Sequence, residues 1–140
     1  MGVQLKQNAD GSMGLQGTDL DEGQFIASNI EYTAASVSKA TKVCTRRQVV
    51  KQIIGRVTVA GSDVGAVTAQ IFAAPSGTAL SAGTLLHAGS FNLKGTANAN
   101  QVLSIAATGV DLAAGSVIGI VFTGVLTAAT GVITVSLAPA

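Results

Sequence analysis

The stretch LAAGSVIGIVFTGVLTAATGVITVSLAPA, residues 112–140, decides the fold of this chain. It contains no charged residue, and its hydropathy alone would suggest a membrane span. Residues 132–138 nevertheless alternate strictly between apolar and polar side chains, which is the period of a β-strand and not of a helix. Glycine and threonine recur throughout the stretch, and neither lysine nor arginine flanks it. The stretch therefore predicts two paired, buried strands of a β-sandwich.

The first of these two strands carries apolar side chains on both of its faces over residues 117–122. We expect a neighbouring subunit to cover one of those faces, which accounts for the absence of charge there. Gly115 and Gly119 also have the GxxxG spacing that can pair membrane helices. The many glycines and threonines make a poor helix, so the strand interpretation is favoured.

The composition indicates one domain whose surface is largely covered. The 140 residues suffice for a single domain, and only 11% of them are charged, against about 25% in typical soluble domains. A soluble monomer with so few charges is prone to association, so we expect contact with other subunits, with a larger assembly or with lipid. The single cysteine, Cys44, excludes an intrachain disulfide framework, and the first residues lack the apolar segment of a signal peptide.

Charges are distributed unevenly along the chain. Residues 1–35 carry one lysine and five acids, a net of −4, whereas residues 36–56 carry a net of +6 without any acid. No aromatic residue interleaves with these cations to stack on bases, so the pattern does not favour nucleic acid, although contact with a genome stays open as an alternative. An acidic protein surface, for example the first residues of a neighbouring copy, is the favoured partner. The basic sheet face expected to dock on it is formed by Lys42, Arg46, Arg47, Lys51 and Arg56.

Residues 3–16 predict a short hairpin at the start of the chain. Apolar and polar residues alternate on both sides of a turn at residues 8–11, which read Asn-Ala-Asp-Gly. Because an isolated hairpin is only marginally stable in water, this one is expected to pack against its own sandwich or against another chain. Residues 17–23 form a polar linker, so residues 1–23 are predicted to be an arm and residues 24–140 the sandwich domain. The partner-binding residues of the arm are expected to be Val3, Leu5, Met13 and Leu15.

From residue 25 onward the pattern is that of consecutive strands. Turn residues separate runs rich in Val, Ile and Thr about every 10–15 residues. This spacing predicts an all-β fold, a single β-sandwich resembling a jelly roll, with an extended N-terminal hairpin arm. Residues 34–47 are ambiguous, because their alanines leave a short helix as an alternative to a strand. The predicted strands cover residues 25–32, 36–45, 48–60, 65–73, 84–93, 101–106, 116–125 and 132–138.

Two of these strands carry more detailed expectations. In residues 48–60, alternation predicts that Ile53, Val57 and Val59 share one face of the strand. The strand that contains Gly89 is a candidate for an interruption at that glycine.

Candidate catalytic and metal-binding residues are few. His87 is the only histidine, and Asp63 or Asp111 could be drawn beside it with a serine as a triad, but no GxSxG motif places a nucleophile. His87 is therefore interpreted as a structural or surface residue. Cys44 lacks a partner base and is interpreted as a small hydrophobe. Two acidic segments near the N terminus lack the full ligand series of a calcium loop. The sequence thus predicts no enzyme, no cofactor and no metal.

Three segments of the chain carry a family resemblance. They are VQLKQNADGSMGLQG at residues 3–17, APSGTALSAGT at residues 74–84 and DLAAGSVIGIVFTGVLTAATGVITVSL at residues 111–137. Together they resemble small virion proteins of tailed bacteriophages, in particular capsid decoration (cement) proteins and related head-fibre proteins. The resemblance implies a non-enzymatic β-sandwich that binds the outside of an icosahedral head and stabilises contacts between capsomers. The implied partners are the major capsid protein and further copies of the chain, with a trimer as the expected oligomer. The implied location is the capsid surface of the virion, after synthesis in the host cytoplasm.

Other functions remain as alternatives. A binding module on a tail or head fibre could recognise a host surface glycan, although the chain has no Trp and only one Tyr, Tyr32, for stacking on sugars. A small membrane protein is the second alternative, which solubility without detergent would test. An enzyme has no positive support in the sequence.

Overall fold

The structure, a computed structural model, describes residues 5–7, 13–15, 26–106 and 110–140. One turn of 3₁₀-helix, Leu80–Ala82, is the only helix in these ranges. No described helix is long or apolar enough to cross a membrane. The described strands are β1 (Leu5–Gln7), β2 (Met13–Leu15), β3 (Ile26–Tyr32), β4 (Lys39–Val43), β5 (Gln48–Val59), β6 (Thr68–Ala74), β7 (Thr84–Leu85), β8 (Phe91–Asn92), β9 (Asn100–Leu103), β10 (Asp111–Leu112), β11 (Val117–Thr123) and β12 (Thr130–Pro139).

Strands β3 to β12 form two antiparallel sheets. The order in the first sheet is β10-β5-β12-β3, and β9 lies beside β10 along the same side of β5. The order in the second sheet is β4-β11-β6-β7, and β8 lies beside β7 along β6. The inward side chains of both sheets form one apolar core, whose largest fully buried members include Phe91, Ile53, Ile71 and Leu86. Alternation along each strand thus places one face in the core.

The pairing is that of a jelly roll. If β7 with β8 and β9 with β10 are each taken as one interrupted strand, the sandwich has eight strands. The first pairs with the last, the second with the seventh, the third with the sixth and the fourth with the fifth. An antiparallel ribbon that rolls up in this way is the jelly-roll arrangement. The prediction of an all-β sandwich of this type is confirmed.

The two C-terminal strands are both buried, but the prediction that they pair with each other is wrong. Strand β11 lies between β4 and β6 in the second sheet, whereas β12 lies between β5 and β3 in the first. Residues 124–129 connect one sheet to the other across the end of the sandwich. The connection turns where the N–H of Ala129 donates to the carbonyl of Leu126 at 2.9 Å, with both side chains buried. Alternation identifies the inward face of a strand but not its partner.

The chain itself covers the outer face of β11 at Gly119. Cover of the rest of this face by a neighbouring subunit stays a prediction. The 3₁₀-helix brings Leu80 over this glycine from the outside of the sheet. A Cβ at Gly119 would overlap the Leu80 side chain and the backbone carbonyl of Lys39. The missing side chain therefore lets the connection between β6 and β7 lie directly on the sheet.

We expect the substitution Gly119→Ala to lower the free energy of unfolding by about 1–3 kcal/mol, because it overpacks this contact. Leu80 can change its rotamer, but the Lys39 carbonyl belongs to the paired backbone and cannot move away. Denaturant unfolding measures the change. The matched control is Gly65→Ala, where the added Cβ would meet only the Asp63 carboxylate at 3.4 Å. Equal stabilities of the two variants would contradict the prediction.

Two irregularities in β5 change which of its side chains are buried. The pairing with β12 shifts by one residue next to Thr130 and again next to Leu137, so β5 has an extra residue at each place. Such a bulge inverts the alternation beyond it. Ile53 and Val57 face the core as predicted, but Val59 lies beyond the first shift and is 49% exposed. The prediction that Val59 shares their face is therefore wrong.

The structure also defines two segments whose secondary structure the sequence leaves open. Within residues 34–47 the chain forms β4 and no helix. The single strand predicted for residues 84–93 is divided into β7 and β8, and Gly89 between them has a φ of +70°. This conformation favours glycine and ends the extended run. The interruption at Gly89 is thus confirmed.

Candidate interaction surface

The two sheets are joined along one side of the sandwich. Here the N–H of Ala88 donates to the carbonyl of Ser104 at 2.9 Å, and the N–H of Ala106 donates to the carbonyl of Leu86 at 3.0 Å. His87 and Ile105 form a β-bridge between these two bonds. Because residues 86–88 continue the second sheet and residues 104–106 continue the first, backbone hydrogen bonds close this side.

The opposite side of the sandwich is open. There β3 is the edge of the first sheet and β4 is the edge of the second, and in the described part of the chain each pairs on one side only. A groove of about 700 Å³ lies between them. An edge strand presents unpaired backbone N–H and C=O groups and can accept a further strand. The groove is lined by both edges and by the turn that joins them, including Asn29, Glu31, Thr33, Ser36, Lys39 and Thr41.

Hydrogen bonds hold the lining of this edge groove in place. The N–H of Thr33 donates to Oγ of Ser36 at 2.9 Å, and the N–H of Ser36 donates to the carbonyl of Thr33 at 3.0 Å. The hydroxyl of Thr41 donates to the carbonyl of Ile118 on β11 at 3.1 Å. Glu31 and Lys39 contribute one charge of each sign. A preformed groove that carries polar side chains and lies between two sheet edges suits a peptide strand, which can pair with either edge.

The predicted basic residues do not form one sheet face. Lys42 is half-buried on β4, at the edge of the second sheet, and Arg46 is exposed in the connection that leads to β5. Lys51 and Arg56 are exposed on β5, which is an interior strand of the first sheet and not an edge strand. Since the chain crosses between sheets after β4, the cations that are adjacent in sequence are divided in space.

Arg47 is already paired within the chain. Its Nε donates to Asp111 Oδ1 at 2.9 Å, and its Nη2 donates to the other carboxylate oxygen, which ties the start of β5 to β10. The hydrogen bond from Arg47 lowers the pKa of Asp111, and the same bond raises the pKa of Arg47. Both groups are exposed, so the pair adds little stability. It does reduce the charge that Arg47 can offer to a partner.

The arm is described only through its two strands. β1 and β2 pair antiparallel, with Leu5 opposite Leu15 and Gln7 opposite Met13, which confirms the predicted hairpin. The predicted contact residue Val3, the turn at residues 8–11 and the linker at residues 17–23 lie outside the described residues. The role assigned to the arm side chains therefore stays a prediction.

His87 and Cys44 have structural surroundings. His87 is buried, its Nε2 accepts the N–H of Ile71 at 3.0 Å, and its Nδ1 lies 3.2 Å from the carbonyl of Ala88. Burial lowers the pKa of His87, and the bond to Ala88 partly opposes this shift. Cys44 is fully buried, and burial raises the pKa of its thiol. The described residues contain no group of three His, Cys, Asp or Glu side chains able to hold a metal.

One end of the sandwich exposes apolar loop residues that alternation did not single out. Val37, Val64 and Val125 are 68%, 101% and 59% exposed, and they lie in the connections after β3, β5 and β11. The N–H of Ser62 donates to the carbonyl of Thr127 at 2.9 Å, which holds two of these connections together. The only sequence signal was a valine beside turn residues, and it does not specify exposure.

The described residues thus define a small jelly-roll sandwich with one closed side, one open edge groove and sparse charge. No family model, curated protein or solved structure matches the chain.

Proposed function

We propose that the chain is a structural virion protein of a tailed bacteriophage, a decoration or cement protein that binds the outer surface of the head. The observation that carries the proposal is a jelly roll with only 11% charged residues, free sheet edges and exposed valines at its loops. Such a surface is expected to be covered in an assembly. Jelly rolls also serve repeatedly as domains of viral capsids. The resemblance of three segments to phage decoration and head-fibre proteins supports the same function.

In this proposal the partners are the major capsid protein and further copies of the chain. Many copies on one head make individually weak contacts sufficient through avidity. The arm and the basic residues outside the Arg47–Asp111 pair supply the contacts. The protein is then located on the capsid surface and carries out no reaction.

The test is binding to phage heads that lack the protein. The purified chain should sediment with expanded heads and raise the temperature at which they break open. Heads that neither bind the chain nor gain stability from it would refute the proposed function.

Deleting residues 1–17 is expected to abolish attachment to heads and to leave the sandwich folded, because the described core lies entirely within residues 26–140. Co-sedimentation measures attachment, and thermal unfolding followed by circular dichroism measures the fold. The matched control keeps the arm at the same length and composition but shuffles its order, which removes the alternation. Full attachment of the deletion variant would show that the arm has no role in docking.

Recognition of a host glycan is the alternative function, since jelly rolls also occur in lectins. Its main requirement is an exposed aromatic platform. Tyr32 is buried beside Phe122, and burial raises its pKa to about 12, so it does not offer one. Binding of the chain to a glycan array, without binding to heads, would favour this alternative.

A further inference from the structure

We propose that the edge groove between β3 and β4 is the acceptor site for the β1–β2 hairpin of a second copy of the chain. The inference rests on the self-association part of the proposed function and names the surface that receives the arm. Exchange of arms between copies would link them edge to edge, and a closed ring results if the rotation closes.

The hairpin and the groove have the same number of free strand edges. In the described part of the chain β1 and β2 pair only with each other, so each of them has one side without a strand partner there. The groove likewise has two unpaired sides, one on β3 and one on β4, whereas the far side of the sandwich is closed by backbone bonds. A hairpin that docks in the groove can therefore extend a sheet by main-chain hydrogen bonds. It also removes an edge that a stable protein is expected to protect.

The connection between the hairpin and the sandwich is long. Residues 16–25 join β2 to β3, and a segment of ten residues reaches at most about 33–36 Å. Strands that are neighbours in one sheet are usually joined by about two to five residues. A connection of this length is long enough for the hairpin to reach a neighbouring sandwich. Among the residues that the structure describes, β3 pairs with β12 and not with β2, so the groove is open to another copy.

The charges of the hairpin and of the groove are compatible. The hairpin segment, residues 1–15, has one cation, Lys6, and one anion, Asp10. The groove also presents one of each, Lys39 and Glu31. Neither surface carries a net charge that would repel the other, and opposite charges can align in one register.

Site-directed cross-linking tests the inference in the full chain without any phage head. Two variants, Lys6→Cys in the arm and Ala40→Cys in the groove, are co-expressed and treated with a short bis-maleimide. Native Cys44 is fully buried and stays in place. The matched control replaces Ala40→Cys by Ala97→Cys, an equally small and exposed position in the connection between β8 and β9.

We expect the Lys6→Cys and Ala40→Cys pair to give about tenfold more covalent dimer than the control pair, because docking raises the local concentration of the two thiols. Deletion of residues 1–15 should also lower the oligomer to a monomer in sedimentation analysis. Equal yields at Ala40 and Ala97 would overturn the inference. So would a double variant that cross-links only within its own chain, which would assign the groove to the chain's own arm. If the cross-link does not form but the chain still binds heads, the acceptor site is refuted and the proposed function stands. If the cross-link forms but the chain does not bind heads, only the proposed function is refuted.

Discussion

Replacing Phe91 by alanine is expected to lower the free energy of unfolding by about 3–5 kcal/mol, a large part of the roughly 5–15 kcal/mol typical of a domain. Phe91 belongs to β8 in the second sheet and is the largest fully buried side chain among the residues that the structure describes. Its ring lies against Gly55 of β5 in the first sheet, so it spans the core between the sheets. A Cβ at Gly55 would come within 2.7 Å of two ring carbons. Denaturant unfolding measures the loss.

A double-mutant cycle isolates the contact between Phe91 and Gly55. Gly55→Ala alone is expected to destabilise the protein, because the added methyl group would overlap the Phe91 ring and force the ring or the strand to shift. In the Phe91→Ala background the same substitution should cost much less, since the cavity accepts the added methyl group. Phe91→Leu serves as the control for lost volume without a complete cavity. Additive effects of the two alanine substitutions would contradict direct packing across the sheets.

The fold class could be predicted because it depends on local alternation. Residues 132–138 show one apolar face, and the structure buries Ile133, Val135 and Leu137 on it. The pairing could not be predicted in the same way. β11 and β12 have equally apolar inward faces, so nothing in their pattern shows that they belong to opposite sheets. Only the sum of all pairings over the whole chain produces the jelly roll.

The bulges in β5 could not be predicted from the alternation of the sequence either. A single extra residue near Thr58 places Val59 outside, although an unbroken alternation puts it with Val57. The sequence contains no glycine or proline at that point to indicate the shift. The register follows from the fit of β5 to β12 along its full length, which is a property of the folded pair.

The spatial grouping of the residues at the candidate interaction surface could not be predicted from their order in the sequence. The cations from Lys39 to Arg56 are neighbours in sequence, but the crossing after β4 places them on different sheets. The edge groove is invisible in the sequence for the same reason, since β3 and β4 become edges only when their partners are known. Glu31 and Lys39 both line this groove, although they belong to an acidic and a basic region of the sequence.

Lowering the pH below about 6.5 is expected to destabilise the fold through His87. In the folded chain Nε2 accepts the N–H of Ile71, so protonation there would set two donors against each other in a buried site. The pKa of His87 is lowered from its ordinary value of 6.5, mainly by burial. Its ring is hydrogen-bonded to the backbone of Ile71 and Ala88 and packs against the ring of Phe91, with the ring centroids 5.4 Å apart, and none of these groups carries a charge that could stabilise the protonated form.

The pKa of His87 is lower in the folded chain than in the unfolded chain, so the unfolded chain binds the proton more tightly. The stability that neutral His87 contributes is therefore fully present above the pKa of the unfolded chain. It is lost by about 1.4 kcal/mol per pH unit as the pH falls from that pKa to the pKa of the folded chain. Denaturant unfolding between pH 4.5 and 7.5 measures the slope. The variant His87→Gln keeps an oxygen that can accept the N–H of Ile71 but does not titrate, so its stability should change less over this range. Parallel curves for the two proteins would mean that other groups, and not His87, produce the acid sensitivity.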